Sequence, residues 1–117
     1  MENTNNWKTQ ILDELQTASK ARALGNEGQA RVCARRAAGI AIGEYLSRKG
    51  YPIPGPSAME RMKYLTNLPN ISPEIKKIIE HLTIRVTKDF KLPIEADLIE
   101  ETKWLIKELL NEEISDE

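Results

Sequence analysis

The sequence predicts an all-α protein, an up-down bundle of four to five helices. Three observations lead there. Apolar residues recur at steps of three, four and seven along most of the chain, the repeat that lines one face of a helix. The breaks between these runs carry glycine, proline and capping residues where helices stop and start. Period-two alternation is confined to residues 82–87, LTIRVT, where the helical stripe that begins at Ile75 is the better fit. The expected architecture is a long antiparallel helical hairpin (about 5–24 and 28–49), a short helix (58–68) and two further helices (73–88 and 93–111). At 117 residues the chain reads as a single domain able to bury a core without disulfides or metals.

The first helix places Trp7, Ile11, Leu15 and Ala18 on its inner stripe, with Thr4 or Asn5 as cap. Gly25 suits the left-handed position that follows a helix end. The connection is so short that the second helix must turn back against the first.

That second helix, QARVCARRAAGIAIGEYL, is the segment on which the others are expected to close. Ala30, Ala34, Ala37, Ala38 and Ala41 share one face, and their short side chains admit a close neighbour. Gly39 and Gly43 each cost about 1 kcal/mol against alanine in a helix interior, so close backbone contact is the simplest reason for them. Arg31, Arg35, Arg36, Glu44 and Arg48 interrupt the run, which rules out a bilayer span of roughly 20 apolar residues.

Tyr51-Pro52-Ile53-Pro54-Gly55-Pro56 cannot be helical, because proline removes a donor and restricts the residue before it. Ser57-x-x-Glu60 is a capping box that opens the short helix, with Met59, Met62 and Leu65 facing in. Ser72-Pro73-Glu74 is a second start, with serine as cap and proline at the first helical position. Ile75, Ile78, Ile79, Leu82 and Val86 form the stripe of that helix. Pro93 is expected to open the last helix, with Leu98, Thr102, Leu105 and Leu109 in line. The tail, 111–117, is acidic and expected to fray. Trp104 falls opposite that last stripe, among charged residues, which makes it a candidate contact with another subunit.

Composition narrows function by exclusion. Hydrophobic content is 40%, charged content 30% and formal net charge −1, a soluble profile that argues against a DNA-binding protein. Charge is uneven along the chain. Residues 20–49 carry seven basic side chains against two acidic ones, and residues 95–117 carry nine acidic against two basic. This pattern reads either as complementarity between helices or as two faces for partners of opposite sign. Arg31, Arg35 and Arg36 likewise read in two ways: a solvated edge paired with acids, or a guanidinium cluster that holds a phosphate. In the second case, alanine at 35 and 36 would abolish anion binding without changing stability. The single cysteine, Cys33, cannot form an internal disulfide and reads as a small core residue. With no basic-then-apolar leader at its N-terminus, the chain is expected in the cytoplasm.

No CxxC, HExxH, P-loop or GxGxxG pattern occurs. His81 is the single histidine, and Lys77 and Arg85 at i−4 and i+4 would repel a metal ion. No catalytic residue, metal site or cofactor is therefore expected.

The run Ala34-Arg35-Arg36-Ala37-Ala38-Gly39-Ile40-Ala41-Ile42 resembles the second helix of HEPN-domain proteins. The loop, the short helix with Met59, Met62 and Leu65, and the segment Leu82 to Phe90 are similar to the elements that follow it there. The resemblance spans Trp7 to Leu110. It implies a helical bundle that dimerises and that cleaves RNA, binds a nucleotide or accompanies a small nucleotidyltransferase. The family's ribonucleases use an arginine followed four to six residues later by histidine. If Asp89-Phe90 matches the family's aspartate–tyrosine pair, those positions hold Thr83 and Lys88, so the cleaving pair is missing. The resemblance thus implies a non-catalytic homodimer that binds a partner protein, or a nucleotide or RNA phosphate through Arg31, Arg35, Arg36, Arg85 and Lys88. The alternatives are a diverged, toxin-like ribonuclease and a purely structural interaction module docking through Trp104.

Overall fold

In the computed structural model, described for residues 6–84 and 96–111, the chain forms five helices and, among those residues, no strand. They are α1 (Asn6–Ala23), α2 (Glu27–Arg48), α3 (Ala58–Thr66), α4 (Pro73–Thr83) and α5 (Leu98–Leu110). The hairpin of α1 and α2, the short third helix and the two that follow are those the periodicity predicts.

The turns are set by local chemistry. Gly25 adopts φ +80°. Its N–H donates to Arg22 O at 3.0 Å, and Asn26 N–H donates to Ala21 O at 2.7 Å, which closes α1 with a Schellman motif. Asn26 then caps α2, its side chain accepting from Gln29 N. The same motif ends α2: Gly50, at φ +76°, bonds Ser47 O, and Tyr51 bonds Leu46 O. Ser57 and Ser72 cap α3 and α4 by accepting from Glu60 N and Ile75 N.

α2 is the hub and packs against α1, α3 and α5. Ala30, Cys33, Ala34, Ala37, Ala38, Ala41, Ile42 and Leu46 are all fully buried. The small side chains form the seam, and Ile11, Met62, Leu65, Leu82, Leu98, Leu105 and Ile106 fill the space around it. Thr102, buried in α5, donates its hydroxyl to Ala34 O at 3.4 Å, which offsets the cost of placing it there.

α2 and the start of α3 come into close contact. A Cβ at Gly39 would lie 2.7 Å from Ala58 Cβ and 2.9 Å from Ala58 Cα. One turn on, Gly43 lies directly beneath the Arg61 guanidinium. That guanidinium donates to Gly55 O at 2.6 Å and to Gly39 O at 2.9 Å, tying the proline-rich loop to the hub.

Met59, expected to face in with Met62 and Leu65, is exposed instead, and two boundaries differ from expectation by several residues. α4 ends at Thr83, because Ile84 is extended at φ −67°, ψ 135°. α5 starts at Leu98: Asp97 is extended and accepts from both Ile99 N and Glu100 N, which fixes the first turn there. Thr4, Asn5, Val86, Pro93 and the tail beyond Asn111 lie outside the described residues. Among the described residues no helix is long and apolar enough to cross a membrane.

Arg22 joins three elements. It makes a two-pronged contact with Glu27 at 2.6 and 3.0 Å, and it reaches Asp97 at 2.8 Å. The end of α1, the start of α2 and the start of α5 therefore share one guanidinium. Its hydrogen bonds hold the Glu27 carboxyl below the usual range. For Asp97, partial burial pushes the carboxyl up, but the bonds from Arg22 and from Glu100 N–H outweigh it and the net shift is down. Both groups release protons more readily folded than unfolded. The resulting stabilisation is complete above the ordinary carboxylate range of about 4 and is lost as pH falls through that range and below it. Arg22→Met is expected to flatten the fall of Tm with acidification below about pH 5; Tm curves that run parallel to wild type would show that the clamp contributes nothing.

Candidate functional site

Arg31 and Arg35, one turn apart on α2, line one cavity, and Arg36 lies outside it. Arg35 is half-buried and turns onto the end of α4, donating from Nε to Leu82 O at 2.6 Å and from Nη2 to Ile84 O at 3.2 Å. It thereby satisfies carbonyls that a helix C-terminus leaves open. Burial, and next the charge of Arg31, push its pKa down. Arg36, about 100° further round the helix, is exposed. Arg31 lines a shallow cavity of about 520 Å³ with Gly25, Asn26, Glu27, Gly28, Val32 and Arg35, and Arg36 takes no part in it. Glu27 stands in that wall, and the carbonyls of Leu82 and Ile84 already occupy Arg35. Arg85 and Lys88 lie outside the described residues.

Other arginines do comparable structural work that sequence reading missed. Arg48 donates to Glu44 Oε2 at 2.9 Å and to Leu110 O at 3.2 Å, and its guanidinium carbon lies 5.2 Å from the centre of the Trp7 ring. It links α2, the end of α5 and α1 through one side chain.

The better-formed site lies between α4 and α5. Glu74, Lys77, Ile78 and His81 stand at i, i+3, i+4 and i+7 on α4, so they share a face. Asp97, Glu100, Glu101 and Trp104 stand at the same steps on α5. With Ala96, these two stripes line a groove of about 590 Å³. Across it, His81 Nδ1 donates to Glu101 Oε1 at 2.8 Å, with the two side chains 15% and 25% exposed. A carboxylate oxygen only accepts, so the ring nitrogen that faces it is the donor.

Trp104 forms part of this wall and remains 37% exposed. Sequence places it opposite the apolar stripe of α5, and so it is; it shares the groove with the outward face of α4. The other indole, Trp7, is covered by Arg48 and Lys8. The groove carries four carboxylates against one lysine. Asp97 is engaged by Arg22, Glu101 by His81, and Glu100 by Lys103 at 3.4 Å in an exposed pair. Glu74, at the first turn of α4, makes no ion pair among the described residues.

Cys33 is fully buried, with Gln29 Nε2 3.4 Å from its sulfur, and burial pushes the thiol pKa up, so it is poorly placed as a nucleophile. Among the described residues no group of His, Cys, Asp and Glu is arranged to hold a metal ion.

Comparison with protein-family models, with curated proteins and with solved structures finds no match.

Proposed function

We propose that the protein is a non-catalytic binding module that docks a partner protein through the α4–α5 groove. The observation that carries this reading is Trp104. The large apolar side chains of α5 are buried in the core, yet this indole is held in the wall of a concave site beside Ile78. A partly exposed aromatic in the wall of a depression, with charged residues around it, is a common anchor of a protein–protein contact. Titration of isotope-labelled protein with short peptides of basic, acidic and apolar composition is expected to move the Trp104 indole resonance and the Ile78 amide first. Shifts confined to residues 25–36 would overturn the reading.

Kinship with HEPN proteins belongs with this proposal. The helical hairpin, the alanine seam and the order of the following helices support it. Against a diverged ribonuclease stands the residue at one of its key positions: where the cleaving arginine would stand is Thr83, whose hydroxyl donates to Glu80 O. Binding of a nucleotide or RNA phosphate draws support from Arg31 at the 520 Å³ cavity, and is weakened by Glu27 in the same wall. Homodimerisation across the groove would set two acidic rims face to face, which costs energy. A foreign partner, a nucleotidyltransferase among the possibilities, therefore fits that face better than a twofold-related copy.

A further inference from the structure

We infer that the α4–α5 groove recognises a cationic side chain, arginine before lysine, presented by a segment of the partner protein. The guanidinium lies on the face of Trp104 and donates to Glu100. This assignment rests on the docking role proposed above and specifies the chemistry of what docks.

Two observations carry it. The first is charge. The groove's lining has four carboxylates and one ammonium beside Ile78, Ala96 and the indole; Arg22 and His81 hold Asp97 and Glu101, Lys103 holds Glu100 only loosely, and Glu74 makes no ion pair among the described residues. An acidic ligand is repelled by Glu74 and Glu100, and a purely apolar one gives neither of them a partner. The second is that the protein already contains a filled version of this arrangement. Arg48 lies 5.2 Å from the Trp7 ring centre while its Nε donates to Glu44 Oε2 at 2.9 Å. Indole, carboxylate and guanidinium satisfy one another there: the ring face attracts the cation, and the carboxylate takes its in-plane donors. In the groove, Glu100 stands one helical turn before Trp104, at i and i+4, so its carboxylate and the indole are neighbours on one face. Glu74 adds a second carboxylate in the same groove. The Lys103–Glu100 pair at 3.4 Å is exposed and contributes little, so an incoming guanidinium displaces it readily. Arginine is preferred because its planar, weakly hydrated group both stacks and donates in-plane, whereas an ammonium is a hydrated point charge.

The test uses the full-length protein and acetylated, amidated peptides that differ in one central residue: arginine, lysine, citrulline or glutamate. The Trp104 indole resonance reports binding up to about 1 mM peptide. The expected order is arginine, then lysine, with citrulline and glutamate giving no shift. Glu100→Gln and Glu74→Gln, checked for unchanged Tm, are each expected to weaken the arginine peptide about five- to tenfold, and added salt to weaken it further. No response to the arginine peptide, or an equal response to citrulline, overturns the cationic assignment. If apolar peptides alone move the indole, the groove is still a docking face and only its chemistry is wrong. If no peptide moves it, and sedimentation instead shows open-ended, concentration-dependent growth that Arg36→Gln abolishes, the occupant is a second copy bound head to tail, and the foreign partner is wrong.

Discussion

Gly39→Val is expected to destabilise the protein by about 3 kcal/mol, the upper end of the range for overpacking, because the obstacle is backbone. A Cβ at residue 39 meets Ala58 at both its Cβ and its Cα, 2.7 and 2.9 Å away. The Cα cannot turn aside as a side chain would, so α3 must move away from the hub. Gly39→Ala carries the same conflict, partly offset by about 1 kcal/mol of better helix propensity. Valine adds two methyl groups and has no such offset. Thermal or urea unfolding measures the loss, and at about 4–8 °C per kcal/mol the valine variant should melt well over 10 °C lower. Ala58→Gly should recover only part of the alanine variant's deficit, since it removes the Cβ and leaves the Cα in place. A valine variant as stable as wild type would show that the two helices do not approach so closely.

The second large effect is a reversal of sign. Arg61→Ala is expected to cost about 1.5–3 kcal/mol for each charge-assisted bond it loses, at Gly55 O and Gly39 O, less whatever water restores. Gly43→Ala in the wild-type background is expected to destabilise as well, because the new methyl occupies the space of the Arg61 guanidinium and forces it off both carbonyls. In the Arg61→Ala background that obstacle is gone. The same Gly43→Ala change should then stabilise, by up to the roughly 1 kcal/mol that alanine gains over glycine in a helix. A double-mutant cycle on unfolding free energies reads the coupling directly. Additive effects would mean that Gly43 is small for some reason other than the arginine above it.

These cases show what was legible in the sequence. The five helices were, because each is written locally: apolar stripes, serine caps before α3 and α4, and glycines at the two Schellman turns. The seam was as well, since alanine at 30, 34, 37, 38 and 41 has the spacing of one face. The start of α5 was written too, though Pro93 drew attention from it. Asp97-x-x-Glu100 has the same form as the Ser57-x-x-Glu60 box, and it is the aspartate that caps.

The end of α4 was not legible. Leu82 O and Ile84 O are taken by Arg35, 47 and 49 positions away in sequence, and nothing near residue 84 announces it. The arginines illustrate the same limit. Adjacency in sequence suggested a shared anion, but neighbours on a helix diverge by about 100°, and a guanidinium that caps a distant carbonyl leaves no local pattern. Gly39 and Gly43 pointed to a close contact without naming Ala58 or Arg61 as the other side. The groove was half visible: Trp104 stood out, whereas its opposition to Ile78 and His81 required the packing of α4.

The hub's small side chains also bear on ancestry. Outward positions of this chain can drift freely, and charge pairs such as Glu100–Lys103 can vanish at little cost. Alanine and glycine at the seven seam sites between 30 and 43 are buried, and at Gly39 even a Cβ would meet the backbone of a neighbouring helix. Distant cousins should therefore be recognisable by that spacing of tiny residues, followed by a proline-broken loop and a helix that begins with alanine and carries arginine three places on, even where the remaining letters have all changed.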